Sequence, residues 1–414
     1  MEKVRKLKAG EGGRKTDKWI AAYYDANGKR RHKQFNTRDE AEDFQGEVRG
    51  EVKKGKHVPD SQSLTVEAAN TAWLKAHKSS WEPATYQDYE RTMKLHVLPF
   101  LQDKKLTQLE NKDVLALVAS LQEGKRSTFT IRRALVTLRS MLSFSMDSGT
   151  VSRNVVSESS RATGKILSGK ARMDGDEEDG NSALIAGVDF PSTGEIGTLA
   201  KWLRAPIAPV GVKYVSMTVA GVVRWRPMIL TIIGTGLRIS EALGLRWKDC
   251  ELTGDHLQIH VRQKIDRFGK AGAVKSKAGK RTIPINSELA RTLLDHKKAC
   301  PASELDLVFP TASGQPQSKS NFLARGLKPA WKLAGITNGD GEAKYTGAHC
   351  LRHFYASWLI NPVENGGRGM EPFMAIKRLG HSDVAILTKV YGHAFGQTKA
   401  SRNEEEEAAA RLFG

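Results

Sequence analysis

Cysteine and long apolar runs are both scarce in this chain of 414 residues, and each scarcity argues against a class of protein. Cys250, Cys300 and Cys350 form no CxxC pair, so neither a disulfide framework nor a cysteine zinc site is expected. No run of 18 or more apolar residues is present to span a membrane. The opening residues, MEKVRKLKAGEGG, lack the apolar core of a signal peptide. We therefore expect a cytoplasmic protein with reduced cysteines.

Positive charge, in contrast, is abundant. Lysine and arginine total 65 against 46 acidic residues, which gives a formal net charge of +19. A charge of this size attracts polyanions, so nucleic acid and an anionic membrane surface are both candidate partners. The length exceeds what one hydrophobic core supports, and two to four domains are expected.

The first segment, residues 1–60, has the pattern of a β-hairpin followed by a helix. An apolar and aromatic run, Trp19–Tyr24, leads through an Asn-Gly turn to a basic strand, Lys29–Phe35. Thr37 and Glu40 fit a capping box at the start of a helix. The apolar face of that helix consists of Ala41, Phe44, Val48 and Val52, and Gly55 follows as a stop.

Helical periodicity continues from 63 to about 156 and predicts an all-α domain. Its clearest apolar stripe consists of Ile131, Ala134, Leu135, Leu138, Met141 and Leu142. Residues 157–190 are rich in Ser, Gly and acidic residues, and they read as a flexible linker. The cluster Asp174–Gly180 superficially resembles a calcium loop, but the ligand spacing fails.

The remainder, 191–414, predicts a mixed, mainly α domain with a small antiparallel sheet. His256–Val261 and Arg281–Ile285 have the alternation of strands, with a lysine- and glycine-rich turn before the second.

Two sets of basic residues outside this last domain are candidates for contact with a phosphate backbone. The first lies on the predicted basic strand and comprises Arg30, Arg31 and Lys33. The second lies on the polar side of the striped helix and comprises Arg132, Arg133 and Arg139. For both sets the alternative interpretation is a merely solvated face.

The segment Thr235–Trp247 (TGLRISEALGLRW) predicts a helix entered through a glycine turn, with Arg238 in its first turn. A forked guanidinium beside free backbone N–H groups suits a phosphate oxygen. Glu241 lies three residues on and is placed to orient that guanidinium. The alternative is a simple surface Arg–Glu pair.

A second motif, His349–His353 (HCLRH), opens a helix with a clear apolar stripe. His349 and Arg352 share a flank beside the stripe and point together into a cleft, whereas His353 falls further round. An isolated histidine is usually structural, so the pairing with Arg352 carries the interpretation.

A third motif, Leu379–His393 (LGHSDVAILTKVYGH), predicts that Gly380 ends one helix and that Tyr391 closes a short second one. A tyrosine in such a place is usually packing or a surface ring. As a nucleophile its hydroxyl needs help in losing a proton.

Taken in order, TGLRxSEALxLRW, a lysine hairpin, HxLRH and LGHS…VYGH resemble the tyrosine recombinase family of phage and integrative-element integrases. The resemblance spans about residues 225–395. It implies that Arg238 and Arg352 hold the scissile phosphate, that His381 is a further phosphate donor, and that Tyr391 attacks. His349 would transfer a proton.

The family's catalytic lysine lies on a hairpin turn before a strand such as Arg281–Ile285. Lys277 fits best, with Lys275 and Lys280 left open. The implied reaction is metal- and ATP-free transesterification through a 3′-phosphotyrosyl link, because arginines, histidines and a lysine replace the electrostatic work of a metal. No cofactor is expected.

The resemblance extends to the other segments, with residues 63–156 similar to a core-binding domain and residues 1–60 similar to an arm-type DNA-binding module. It implies double-stranded attachment sites, a homotetramer on DNA, and accessory proteins that bend DNA or favour excision. The alternatives are a chromosome or plasmid dimer resolvase, a type IB topoisomerase, and a DNA-binding regulator with a vestigial site.

Overall fold

The computed structural model of the chain describes residues 3–7, 17–25, 28–53, 57–60, 62–167, 184–204, 217–274 and 277–380. The chain divides into two units, Met1–Asp174 and Gly175–Gly414. No helix in the described ranges is long and apolar enough to cross a membrane. Several predicted features lie outside the described residues, namely Asn27, Gly55, the acidic cluster 174–180, Lys275, His381 and Tyr391.

The first unit begins with the predicted hairpin and helix. Antiparallel strands β1 (Arg5–Leu7), β2 (Lys18–Tyr24) and β3 (Arg30–Phe35) form a sheet in that order, and α1 (Arg38–Lys53) packs on it. The sequence did not predict β1, because a three-residue strand among charges has no usable alternation. The capping box is present, since Glu40 N donates to Thr37 Oγ1 over 3.3 Å and Glu40 accepts from Thr37 N.

From Val66 to Leu167 the first unit is mainly helical, as predicted for residues 63–156. The helices of this stretch are α2 (Val66–His77), α3 (Pro83–Thr92), α4 (Leu98–Leu101), α5 (Asn111–Glu123), α6 (Thr128–Asp147), α7 (Val155–Glu158) and α8 (Ser160–Leu167). The predicted stripe of α6 lies in the core, where Ile131, Leu138 and Met141 are at most 1% exposed. A π-helical turn, Met93–Val97, joins α3 to α4.

The predicted linker starts too early. Residues 157–167 comprise the end of α7, its C-cap Ser159 and all of α8, and they follow an N-cap at Asn154. Ser159 and Thr163 of this stretch are buried, and their hydroxyls donate to backbone carbonyls one turn earlier. A helix that buries hydroxyls in this way shows no apolar stripe, and its composition therefore indicated a linker.

In its described residues, the second unit mixes helices with two small sheets. The helices are α9 (Thr193–Arg204), α10 (Met217–Thr235), α11 (Ile239–Leu243), α12 (Ser287–Ala299), α13 (Lys319–Phe322), α14 (Lys328–Leu333), α15 (His349–Ile360) and α16 (Pro372–Leu379). The strands are β4 (Cys250–Glu251), β5 (Gln258–Val261), β6 (Gln263–Ile265), β7 (Ala271–Ala273) and β8 (Arg281–Pro284). All pairs are antiparallel, in the orders β4-β5-β8 and β6-β7.

The two predicted strands pair with each other. Ile259 lies opposite Ile283, and both are fully buried against the helices. Val261 lies opposite Arg281 at the other end of the ladder. This pairing places the turn that precedes β8 beside the helices that carry the arginine motifs.

Candidate functional site

Arg238 lies at the junction of α10 and α11. Gly236 makes the turn with φ +62°, and an added Cβ there would collide with the ring of Tyr355, so only glycine fits. Arg238 is the N-cap of α11, with φ −64° and ψ 148°, rather than a residue of its first turn as predicted. Its side chain is 31% exposed. The residue therefore reaches solvent next to a helix start.

Glu241 is the carboxylate around which the site is organised, and only 4% of its side chain is exposed. The predicted contact is present, because Arg238 Nη1 donates to Oε1 over 3.2 Å and Arg238 N donates to Oε2 over 3.0 Å. Burial by itself would raise the pKa of Glu241. Hydrogen bonds from Arg281 and the charges of Arg281, Arg352 and Arg238 outweigh it and lower that pKa to about 2.

Arg281 is a site residue that the sequence reasoning missed. Its Nη1 and Nη2 donate to the two Glu241 oxygens over 3.1 and 2.8 Å, and only 4% of its side chain is exposed. A usable signal was present. Strand alternation places Arg281 on the same face of β8 as buried Ile283, and a buried arginine requires a carboxylate.

Arg352 is buried in α15, with 2% exposure, whereas the helical periodicity placed it on a flank of a cleft. The difference arises because α15 packs on both α10 and α16, and their ends meet over this residue. Arg352 Nη1 donates to the carbonyl of Gly236 over 2.7 Å, and Nη2 donates to that of Leu379 over 2.8 Å. One guanidinium thus joins the first and third motifs.

His349 is the first residue of α15 and is half-buried. Its ring lies 4.7 Å from that of His353, at an interplanar angle of 84°. His353, which the sequence reasoning set aside, is therefore the immediate neighbour of His349 and also lies near Phe190.

The candidate lysines precede β8. The backbone of Lys277 begins a 3-10 turn, Lys277–Gly279, and Lys280 is exposed just beyond it. The choice among Lys275, Lys277 and Lys280 stays a prediction.

The third motif begins at the end of α16. Gly380 ends that helix with φ +70°, as predicted. A Cβ on Gly380 would lie 2.9 Å from the carbonyl oxygen of Ala278 and 3.0 Å from Arg281 Cδ. The chain therefore leaves α16 against the lysine turn, toward the undescribed segment that contains His381 and Tyr391.

The three basic candidates on β3 do not share one face. Arg31 pairs with Asp25 over 3.0 Å, and Lys33 pairs with Asp60 over 3.0 Å and lies over the ring of Phe44 of α1. Arg30 alternates to the opposite face and is exposed.

The candidates on α6 also differ among themselves. Arg133 forms an ion pair with Asp88 of α3 over 3.0 Å. Arg132 is half-buried, whereas Arg139 is exposed. Of the six predicted basic residues, Arg30 and Arg139 are exposed.

Comparison with known protein families gives two matches. Residues 216–397 match the sequence model of the Phage integrase family, and residues 65–122 match that of the Phage integrase N-terminal SAM-like domain. The first match includes all three motifs and the lysine turn.

Similar proteins include recombinases and an integrase. A "Tyrosine recombinase XerC-like" protein of Caldanaerobacter subterraneus subsp. tengcongensis is 25% identical over 406 residues, 92% of each chain. The "Integrase" of Staphylococcus phage L54a is 32% identical over 190 residues. That second match covers 43% of this chain and 49% of the phage protein.

Solved structures show the same fold. The Tn1549 transposon integrase in complex with transposon right end DNA aligns with TM-score 0.61 and 18% identity, over 85% of this chain and 100% of that one. A lambda integrase dimer bound to a COC′ core site aligns with TM-score 0.53 and 16% identity, over 96% of each.

Proposed function

Because this chain belongs to the tyrosine recombinase (phage integrase) family of site-specific recombinases, we propose that it is an integrase that cuts and rejoins attachment-site DNA through Tyr391. The observation that carries this proposal is the arginine cluster around Glu241. Three guanidinium charges surround one buried carboxylate, which leaves two positive charges in excess. A pentacoordinate phosphate carries negative charge on its nonbridging oxygens and is stabilised by such a preorganised field.

The proposed chemistry is a balanced exchange of esters. The Tyr391 oxygen forms a bond to the scissile phosphorus while the bond from phosphorus to the 5′ oxygen breaks. The proton of Tyr391 passes to His349, and Lys277 supplies a proton to the departing 5′ oxygen. Arg238, Arg352 and His381 hold the nonbridging oxygens. A 5′ hydroxyl from a second duplex then reverses the step without ATP.

Residues 1–60 are proposed to bind arm-type DNA sites through the sheet face opposite α1. Alternation along β3 places Arg30, His32 and Gln34 on that face, and all three are exposed. Arg31 and Lys33 face α1, where they hold the module together. This assignment favours integration over simple resolution, because it gives the enzyme a second kind of DNA site.

The helical domain is proposed to close on the crossover site, with α6 supplying backbone contacts. Lambda integrase has been solved as a tetramer bound to a Holliday junction. We propose the same assembly here, with four copies on two duplexes. DNA-bending and excision proteins are proposed to assist it.

A nicked suicide duplex tests the proposal. The protein is incubated with an attachment-site duplex whose nick lets the 5′ fragment diffuse away, in EDTA and without ATP, and is then run on a denaturing gel. Wild type should give a slow covalent adduct and Tyr391→Phe none. Tyr86→Phe, which removes the hydroxyl of a half-buried tyrosine of α3, is the matched control and should retain the adduct.

Absence of an adduct with wild type, or its persistence with Tyr391→Phe, contradicts the proposal. Relaxation of a supercoiled plasmid that lacks an attachment site would instead indicate a type IB topoisomerase.

A further inference from the structure

The Arg281 side chain bonds to three separate elements around the site, and we propose that it is a positioning residue for strand cleavage. In this inference, which rests on the proposed function, its guanidinium sets Arg238, the lysine turn and the end of α16 in one fixed arrangement. Arg281 itself does not need to touch the DNA.

The geometry of the guanidinium supports this role first. Nη1 and Nη2 grip both oxygens of Glu241, and Nη1 also donates to the carbonyl of Gly279 over 3.1 Å. Nε donates to the carbonyl of Arg378 over 2.9 Å. One rigid, planar group therefore bonds to α11, to the turn Lys277–Gly279 and to the last turn of α16.

Charge supports it next. Arg238 is held by the same carboxylate, so its position depends on Glu241 staying ionised and oriented. Glu241 is buried, and burial favours the neutral acid. Arg281 supplies the hydrogen bonds and charge that reverse this preference. Without it, the pKa of Glu241 would rise and the carboxylate would lose the two hydrogen bonds that orient it toward Arg238.

The third support is that the turn before β8 and the carboxyl end of α16 meet at Arg281. Gly380 lies so close to Ala278 and to the Arg281 side chain that no Cβ fits between them. The carbonyl of Arg378 accepts from Arg281, and that of Leu379 accepts from Arg352. Two arginines thus cap the carboxyl end of α16, the point from which the chain continues to His381 and Tyr391.

A purely structural explanation is weaker. Buried ion pairs are often replaceable by apolar residues without loss of stability, so such a pair is poor evidence for a stabilising role. Lysine also lacks the planar fork, and it could not bond to both Glu241 oxygens and the two carbonyls together.

The test compares Arg281→Met and Arg281→Lys with Arg246→Met. Arg246 pairs with Asp249 in the same unit and is largely buried, so it is a matched arginine outside the site. Adduct formation is measured on the suicide duplex with an ordinary phosphate, with a neutral methylphosphonate and with a 5′-bridging phosphorothiolate. Melting temperatures are recorded for every variant.

We expect both Arg281 variants to slow cleavage by about 100-fold relative to Arg246→Met, the size of losing one preorganised donor. The rate difference between the Arg281 variants and the control should shrink at least tenfold on one of the two altered substrates. The neutral methylphosphonate has less charge for the arginines to balance, and the phosphorothiolate has a 5′ thiolate leaving group that needs no proton from the lysine. The rate of Arg281→Lys should also fall at a higher pH than that of wild type, because Glu241 then titrates above its native pKa of about 2.

Cleavage by Arg281→Lys within threefold of the control overturns the inference, and so does a deficit that neither substrate narrows. If Arg281→Met does not fold, the cleavage rate of Arg281→Lys relative to Arg246→Met decides whether the inference holds. An inactive wild type would contradict the proposed function instead, so the two failures are distinguishable.

Discussion

Arginines serve differently in the two units. Around Glu241, Arg281 and Arg352 are at most 4% exposed, and within the described part of the chain they donate to the Glu241 carboxylate and to backbone carbonyls. On β3, Arg30 and its neighbours alternate between an exposed face and a face paired with Asp25 and Asp60. The second unit thus buries two of the arginines near Glu241, whereas alternate basic residues of β3 are exposed.

The difference follows from the cost of burying charge. An ion removed from water costs several kcal/mol unless partners surround it, so buried arginines are fixed in position by those partners. Exposed arginines cost little and stay adaptable. A reaction that needs oxygens held to within tenths of an ångström requires the first arrangement, and contact with a phosphate backbone tolerates the second.

The largest effect is expected for Glu241→Gln. The amide cannot balance three arginines, so cleavage should fall by about 100-fold or more and stability by about 3 kcal/mol. Glu251→Gln is the control, because Glu251 is an exposed carboxylate that bonds to His260 and Gln258. Adduct formation and urea denaturation measure the two quantities.

The pH dependence of stability also distinguishes Glu241 from Glu251. The native pKa of Glu241 lies below its ordinary value of 4.5, so its contribution is complete above pH 4.5 and is lost as the pH falls toward about 2. Wild type and Glu251→Gln should lose this increment on acidification, and Glu241→Gln should not. Parallel curves for all three proteins would contradict the assignment.

The second effect concerns Gly380→Ala, with Gly366→Ala as its control. Both glycines have positive φ, at +70° and +75°, but an added Cβ meets Ala278 and Arg281 only at Gly380. Gly366→Ala should cost about 1 kcal/mol for its backbone alone. Gly380→Ala should cost more and also slow cleavage by roughly tenfold, because it pushes the lysine turn from the end of α16. Equal rates for the two variants would show that this contact does not matter for cleavage.

These contrasts also mark what the sequence could predict. The motifs located Arg238, Glu241 and the helix end at Gly380, because each depends on neighbours within about one turn. The role of Arg281 and the burial of Arg352 depend on partners 40 and 116 residues away. Periodicity assigns a residue to a face, but it does not tell which other elements close over that face.

A smaller effect is expected for the N-terminal sheet. Arg30→Gln should weaken binding to arm-site DNA and reduce the slope of log affinity against log salt by about 0.9, the value for one phosphate contact. Arg31→Gln should leave that slope unchanged and instead lower stability, since it removes the ion pair of the buried Asp25. Fluorescence anisotropy across a salt series measures the slopes. If only Arg31→Gln changes the slope, the face of β3 that carries Arg31 contacts the DNA and the face that carries Arg30 does not.

The smallest effect is expected on α6, where both kinds of arginine occur on one helix. Arg133→Ala removes a half-exposed ion pair with Asp88 and should lower stability by less than about 1 kcal/mol. Arg139→Ala changes an exposed side chain, so it should leave stability unchanged and reduce the salt slope for core-site binding by about 0.9. If Arg139→Ala alters neither quantity, Arg139 lies on a solvated face and the contact of α6 with DNA must come from another side of the helix.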